Sequence, residues 1–383
     1  MKELNVLHVA SFTGNIGDNA NHTGFRNNFS KHLDVVINYT EFEIRQIFWK
    51  HKSFDENFVT LANQHDLVVI GGGNYFELWV DESETGTSID IKLELLKKIG
   101  TPIVFNALGV DPAQGATEEA LKKFRAFLDF AIESPTIKLS CRNDGSIKTL
   151  KELVGERYAK EFYHVPDSGF FTEVQDFYHP ELEKDKVNIV IQIAGDMIET
   201  RFPNNSDLDI GFEDFISGLA NYIIRMQDGN VNFILVPHIF RDISVINKLL
   251  ESLPDNIRRE SVSVAPYLVG QKGQDYIFDI YKKADLILAM RFHASVCGLG
   301  LGTPCIGLVN YRQIEELYNE IDLEYLKVHV NKQNFDIKLF ELSTKLLNKD
   351  IVVPANLIDT WRYKLDLFHQ ELSVWLKTLK DYN

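Results

Sequence analysis

Three cysteines in 383 residues, Cys141, Cys297 and Cys305, are too few and too odd in number for a disulfide framework. No two are spaced as CxxC, which removes a thiolate zinc site, and the scattered histidines form no HExxH pair, so no metal site is expected. No stretch approaches the roughly 20 apolar residues that cross a bilayer. The opening Met1-Lys2-Glu3-Leu4-Asn5 has neither the basic start nor the long apolar run of a signal peptide, so a cytoplasmic protein is expected. Positive charge is scarce: 40 Lys and Arg against 55 Asp and Glu leave a formal net charge of −15. That balance argues against general nucleic-acid binding, and any anionic ligand must be held by a few local cations against the field of the whole chain. The Walker loop, the dinucleotide GxGxxG and the Gly-x-Ser-x-Gly elbow are also missing, so ATP, NAD and a serine-hydrolase triad find no support.

What is present is a 45% hydrophobic chain in which short β-branched runs alternate with amphipathic stretches. This is the pattern of parallel sheets covered by helices. Strands are predicted at 4–10, 34–38, 66–70, 102–107, 136–140 and 162–165, and again at 187–193, 231–236, 261–265, 285–290 and 305–309. In the stretch 117–132, Leu121, Phe124, Leu128 and Ala131 recur at three and four, a helical face. The polar, acidic run 173–186 separates the two series and is read as a linker. The predicted organisation is an α/β fold of two Rossmann-like domains, 1–172 and 187–350, facing a central cleft. A long C-terminal helix within 351–383 packs on the body, since Ile358, Trp361, Leu365, Phe368, Leu372, Trp375 and Leu379 make one stripe.

The chemistry-bearing residues sit where strands end. Gly14-Asn15-Ile16-Gly17-Asp18 follows the first strand and precedes a helix, either as an anion site built from backbone N–H groups or as an ordinary turn. Gly71, Gly72 and Gly73 end another strand, either as an unobstructed ligand cradle or as a structural crossover turn. Ser140-Cys141-Arg142-Asn143-Asp144 places Arg142 at a strand end with Asp144 as a helix cap. Asp167, at the end of the next strand, either orients a cation or terminates the strand. Arg291 and His293 emerge from the near-apolar strand before them. Arginine offers a planar fork for carboxylate or phosphate, and histidine a titratable proton donor, although such a pair also fits a buried structural cluster. His238, with Arg241 nearby, adds a polar cluster on the same rim.

In this order, with Gly-x-Pro at 302–304, the motifs resemble those of the polysaccharide pyruvyl transferases, from residue 11 to about residue 315. The resemblance implies a fold similar to the two-domain GT-B glycosyltransferases. It also implies an activity: the pyruvyl group of phosphoenolpyruvate moves onto two hydroxyls of a sugar, forming a cyclic ketal in surface polysaccharides. Phosphoenolpyruvate is then the donor substrate and no cofactor is needed. Arg291 and His293 are implied to bind and activate the donor, with His293 as the acid, and Arg142 to grip its anionic groups. Asn15, Gly17 and Asp18 and the triplet Gly71 to Gly73 are implied to line the cleft. Asp18 and Asp144 both stand as candidates for the base. Where many members show Tyr-Asp-x-Lys, this chain reads Asn310-Tyr311-Arg312-Gln313, so Arg312 is the cation at that place. A saccharide acceptor is the implied partner; were it lipid-linked, peripheral association with an inner membrane face would follow. Two other readings remain: a GT-B-type glycosyltransferase using a nucleotide sugar, and a non-catalytic glycan- or anion-binding relative.

Overall fold

The structure, a computed structural model, describes residues 3–203, 209–227 and 230–381. Its strands are β1 (Glu3–Ala10), β2 (Val36–Glu43), β3 (Leu67–Gly71), β4 (Phe76–Glu77), β5 (Ile103–Leu108), β6 (Val110–Asp111), β7 (Ile137–Arg142) and β8 (Tyr163–Val165), followed by β9 (Val187–Gln192), β10 (Val231–Val236), β11 (Val262–Val264), β12 (Leu286–Ala289), β13 (Cys305–Val309) and β14 (Lys327–His329). One parallel sheet runs in the order β2-β1-β3-β5-β7-β8 and a second in the order β11-β10-β9-β12-β13-β14, while β4 pairs with β6. Every residue of β3, β5, β10, β12 and β13 is buried, as a parallel sheet covered on both faces requires. These are two Rossmann-like α/β units.

The helix Glu118–Glu133 shows how local sequence builds the cover. Thr117 Oγ1 accepts from Ala120 N at 3.1 Å, closing the first turn, and Leu121, Phe124, Leu128 and Ala131 are buried along one face. The short pair β4 and β6 was not expected, and two strands of the main sheets depart from expectation. The second strand extends to Glu43 rather than stopping at Asn38, because backbone pairing with β1 carries a mostly solvent-facing edge that has no apolar run to announce it. Strand β14 is only Lys-Val-His and was invisible to any hydrophobic pattern.

Contacts divide the chain into a first unit of 1–12, 22–168 and 359–383, and a second of 13–21 and 169–358. The segment 173–186, expected as a linker, thus lies in the second unit. It is held on the helix Gly270–Lys283: Phe177 N donates to Asp279 Oδ2 at 2.9 Å and His179 Nε2 lies 2.7 Å from the same oxygen. The first turn of the helix Ile16–Ser30 also belongs to the second unit. No helix among the described residues is long and apolar enough to cross a membrane.

The helix Asp359–Asp381 packs within the first unit, burying Trp361, Leu365, Phe368, Leu372 and Leu376. Tyr163 OH donates to Glu371 Oε2 at 2.6 Å, and Trp375 Nε1 to Pro135 O at 2.9 Å. At the centre of this contact His369 is fully buried among Phe25, Phe29, His32 and Phe368, and neither ring nitrogen has a hydrogen-bond partner. Burial, and then His32, push its pKa down to about 3. The unfolded chain therefore binds a proton that the folded chain refuses between pH 6.5 and about 3, so stability is lost as pH drops through that window, by about 1.4 kcal/mol per pH unit for this group. His369→Leu is expected to raise stability at neutral pH by about 1 kcal/mol, because an unsatisfied polar group leaves the core, and to flatten the acid limb. Urea unfolding at pH 7.5 and pH 5 checks both.

Candidate active site

In the second unit the strand order reverses between β9 and β12, and open α/β sheets bind ligands outside the carboxyl ends of strands at such a reversal. The buried Gln192, which ends β9, ties the two strand ends together. Its backbone O accepts from Met290 N at 3.2 Å and its Oε1 from Arg291 N at 2.8 Å. Arg291 is therefore pinned by its backbone at the switch point.

Its guanidinium is held just as firmly. Nε donates to Asp242 Oδ2 at 3.0 Å and Nη2 to Asp242 Oδ1 at 2.5 Å, while Nη2 and Nη1 reach Asp196 at 2.9 and 3.4 Å. Arg201 closes the cluster, with Nη2 3.6 Å from Asp196 Oδ1 and Nη1 donating to Asn310 Oδ1 at 3.1 Å. Two arginines thus face two carboxylates. Burial alone would push the Asp196 carboxyl up, but Arg291 and then Arg201 outweigh it and hold it below the usual range. Burial likewise lowers Arg291, yet Asp242 and Asp196 raise it further, so this cation is permanent. The fork of Arg291 is thus already filled within a buried cluster, and an incoming anion must exchange with a carboxylate already there.

His293 occupies the first turn of the helix Phe292–Gly300, nearly buried, with Nδ1 3.7 Å from Asp18 Oδ1. The Asn-x-Gly-Asp turn explains itself here. Asn15 Oδ1 accepts from Gly17 N at 3.0 Å and caps the helix that starts at Ile16. A Cβ on Gly17 would collide with Cβ and the ring of His293, so glycine is demanded by the close approach. Asp18 then meets the imidazole. Asn15, Gly17, Asp18 and His293 form one constellation within the second unit.

His238 sits apart in role. It is fully buried, its Nε2 lies 2.8 Å from Tyr281 OH, and its backbone N donates to Asp242 Oδ2 at 2.9 Å. Burial, and then Arg291 and His293, hold its pKa well below the usual value, so it is neutral and shapes the floor under Asp242. Arg312 begins the helix Arg312–Glu320, a quarter exposed, with Nε 4.0 Å from Glu316.

In the first unit the sheet reverses between β1 and β3, and the glycine triplet follows β3 at that point. Packing accounts for two of its members. A Cβ on Gly71 would strike the carbonyl of Asn106, and one on Gly73 would lie 2.5 Å from the Tyr75 ring. Arg142 is buried, with Nε donating to Asp144 Oδ2 at 2.7 Å and Nη1 to Asp167 Oδ2 at 3.3 Å. Asp167 therefore orients a cation. Asp144 is not the helix cap expected of it, since Gly145 takes that position and Asp144 accepts from Arg142 and Ser146 instead. Nearby in sequence, burial pushes Glu77 up to about 7, with Ser88 donating to it and Asp111 beside it, so this carboxyl changes charge near neutrality.

Sequence reading missed Asp242, Asp196, Arg201, Gln192 and Glu77. The one readable signal was Gln192, a polar end to the apolar run Val187-Asn188-Ile189-Val190-Ile191. Asp242 opens the helix Asp242–Ser252, and the others lie in a loop or in short elements, with no spacing rule to mark any of them.

The polysaccharide pyruvyl transferase family model matches residues 14–311. No curated protein matches the chain. Among solved structures, the MnaA–UDP complex of S. aureus is similar at a TM-score of 0.52 and 11% identity, covering 91% of this chain and 89% of that one. A UDP-N-acetylglucosamine 2-epimerase is similar at 0.51 and 12%, covering 97% and 91%. These likenesses are in fold and support a GT-B-like architecture of two Rossmann-like domains.

Two substitutions test the constellation. Gly17→Ala is expected to cost about 1–3 kcal/mol, since an overpacked contact must be relieved by moving His293 or the turn. Asp242→Ala, which leaves the buried guanidinium with Asp196 alone, is expected to cost about 3–5 kcal/mol. Urea unfolding at pH 7.5 measures both.

Proposed function

The chain belongs to the polysaccharide pyruvyl transferase family, and from that premise we propose that it transfers the pyruvyl group of phosphoenolpyruvate to two hydroxyls of a saccharide. The products are a cyclic ketal and inorganic phosphate. The observation that carries this reading is the His293–Asp18 pair, 3.7 Å apart, beside the switch-point arginine Arg291. An enol phosphate does not react with a hydroxyl until its methylene carbon takes a proton. With Nδ1 turned to Asp18, Nε2 of His293 is the nitrogen that delivers it. The neighbouring carbon becomes electron-deficient and bonds to the first sugar oxygen. Its bond to the phosphate oxygen then breaks, the electron pair leaving with phosphate, and the second sugar oxygen takes the vacated place. Each hydroxyl sheds one proton: one replaces the proton given to carbon, the other leaves with phosphate.

Arg291 would bind the donor by exchange. Of its two carboxylates, Asp196 is the more exposed and the more loosely held, so a phosphate or carboxylate displaces it while Asp242 keeps the guanidinium in place. Arg142 can grip an anion only by the same kind of exchange with Asp144 or Asp167, and Arg312, partly exposed, is the more accessible cation. The donor itself carries the reactive group, so the reading needs no cofactor.

Incubation with phosphoenolpyruvate and a panel of glycans is expected to release phosphate and form an acid-labile ketal. His293→Asn should lower kcat by about 10²–10⁴-fold with a smaller change in KM. Phosphoenolpyruvate should raise the melting temperature and UDP should not. Stabilisation by UDP alone, with no phosphate release across the panel, would overturn the reading in favour of a nucleotide-sugar glycosyltransferase.

A further inference from the structure

In a chain of net charge −15, positive charge gathers around one cavity of the second unit. It has a volume of about 440 Å³ and is lined by Lys327, His329, Lys332, Lys338 and Lys345 against a single carboxylate, Glu341. The arrangement follows from two elements. Lys338, Glu341, Leu342 and Lys345 share one face of the helix Phe335–Leu347, being spaced by three and four, and β14 brings Lys327 and His329 opposite.

Two of the lysines are answered from outside the cavity. Lys327 Nζ donates to Asn319 Oδ1 at 2.5 Å and lies 3.4 Å from Glu315, and Lys332 pairs with Asp209. His329 Nε2 is 3.5 Å from the same Glu315. Lys338 and Lys345 have no carboxylate within 4.0 Å among the described residues, although Glu341 lies one turn from each. Burial depresses the His329 pKa, Glu315 opposes that, and Lys327, Lys332 and Lys338 depress it further, which places the three ammonium charges in one neighbourhood. The like charges so grouped repel one another beyond what Glu315, Asp209 and Glu341 offset, and a further anion would relieve that repulsion.

The cavity is separate from the Arg291 centre. Strand β14 lies two strands from β12, about 10 Å across the sheet. His329 ends its strand at the same carboxyl rim as Val309, with which it pairs.

We propose that this lysine-lined cavity is a second anion site, one that takes a phosphate or pyrophosphate group. Ammonium groups are point charges suited to such a group, and with Lys327 and Lys332 answered by Glu315 and Asp209, Lys338 and Lys345 are left with Glu341 alone between them. The proposal stands independently of the pyruvyl-transfer reading. The group could be borne by a soluble sugar phosphate or diphosphate, or by an anionic lipid headgroup.

Inorganic pyrophosphate, titrated calorimetrically into the full chain at low ionic strength, is the probe. Saturable binding is expected, weakened at least tenfold in Lys338→Ala/Lys345→Ala and unchanged in His293→Asn. Both lysines are exposed, so the double variant is expected to melt like the parent. Equal affinity in parent and double variant, or no saturable heat with the parent, would overturn the proposal. So would binding lost in His293→Asn but kept in the double variant, which assigns the anion to the other centre. Flotation with phosphatidylcholine vesicles containing phosphatidylglycerol separates the two sources. Capture that depends on Lys338 and Lys345 supports a headgroup, and pyrophosphate binding without capture supports a soluble or sugar-borne group.

Discussion

Arg291, held between Asp242 and Asp196, is the constraint around which the second unit's carboxyl rim is organised. The cation is nearly buried, so its cost in lost hydration must be met by close carboxylates, and the two aspartates supply them at opposite sides of the fork. Its backbone is clamped to Gln192 as well, which leaves neither end free to swing. A guanidinium fixed in this way contributes little net stability, but it has a defined position. The residues around it are arranged by that position: His238 on the floor beneath Asp242, Arg201 beyond Asp196, and Asn310 beyond Arg201.

Charge compensation on this scale changes how an acidic protein can take an anion. Both conspicuous strand-end arginines, Arg142 and Arg291, are already neutralised within their own units. Binding by exchange costs less than binding to a bare buried cation, since the arginine is never left unpaired, and it makes the displaced carboxylate part of recognition. Asp196 fits that role better than Asp242, because it is partly exposed while Asp242 is sealed. The turn at Asn15 obeys a different logic, in which sterics rule. One residue caps, one must lack a side chain, and one faces the imidazole.

Much of the architecture was legible. Apolar runs of five or six residues between amphipathic stretches marked nearly every buried strand, because a parallel sheet covered on both faces leaves such a strand no polar side. What escaped were the two-residue strands β4 and β6 and the edges, the tail of β2 and all of β14, held by backbone pairing to a neighbour more than by an apolar run. The division of the chain was also read too simply. The first turn of the helix Ile16–Ser30 keeps company with the second unit, and 173–186 is packed on a helix rather than spanning open space.

Residue types and local spacing determined, without help from three dimensions, the α/β class, the family motifs and the candidates Arg142, Arg291, His293, Asn15, Gly17 and Asp18. Only the tertiary structure decided their company. Asp18 lies 275 residues from His293 in the chain and Asp242 lies 49 from Arg291, and no periodic pattern links residues on different strand-end loops. The pairing of Arg291 with Asp242 is set by strand order, through the reversal between β9 and β12, and Asp18 meets His293 because the segment 13–21 is part of the second unit. Strand order in turn follows from the handed crossovers that parallel strands require, which the linear chain does not spell out.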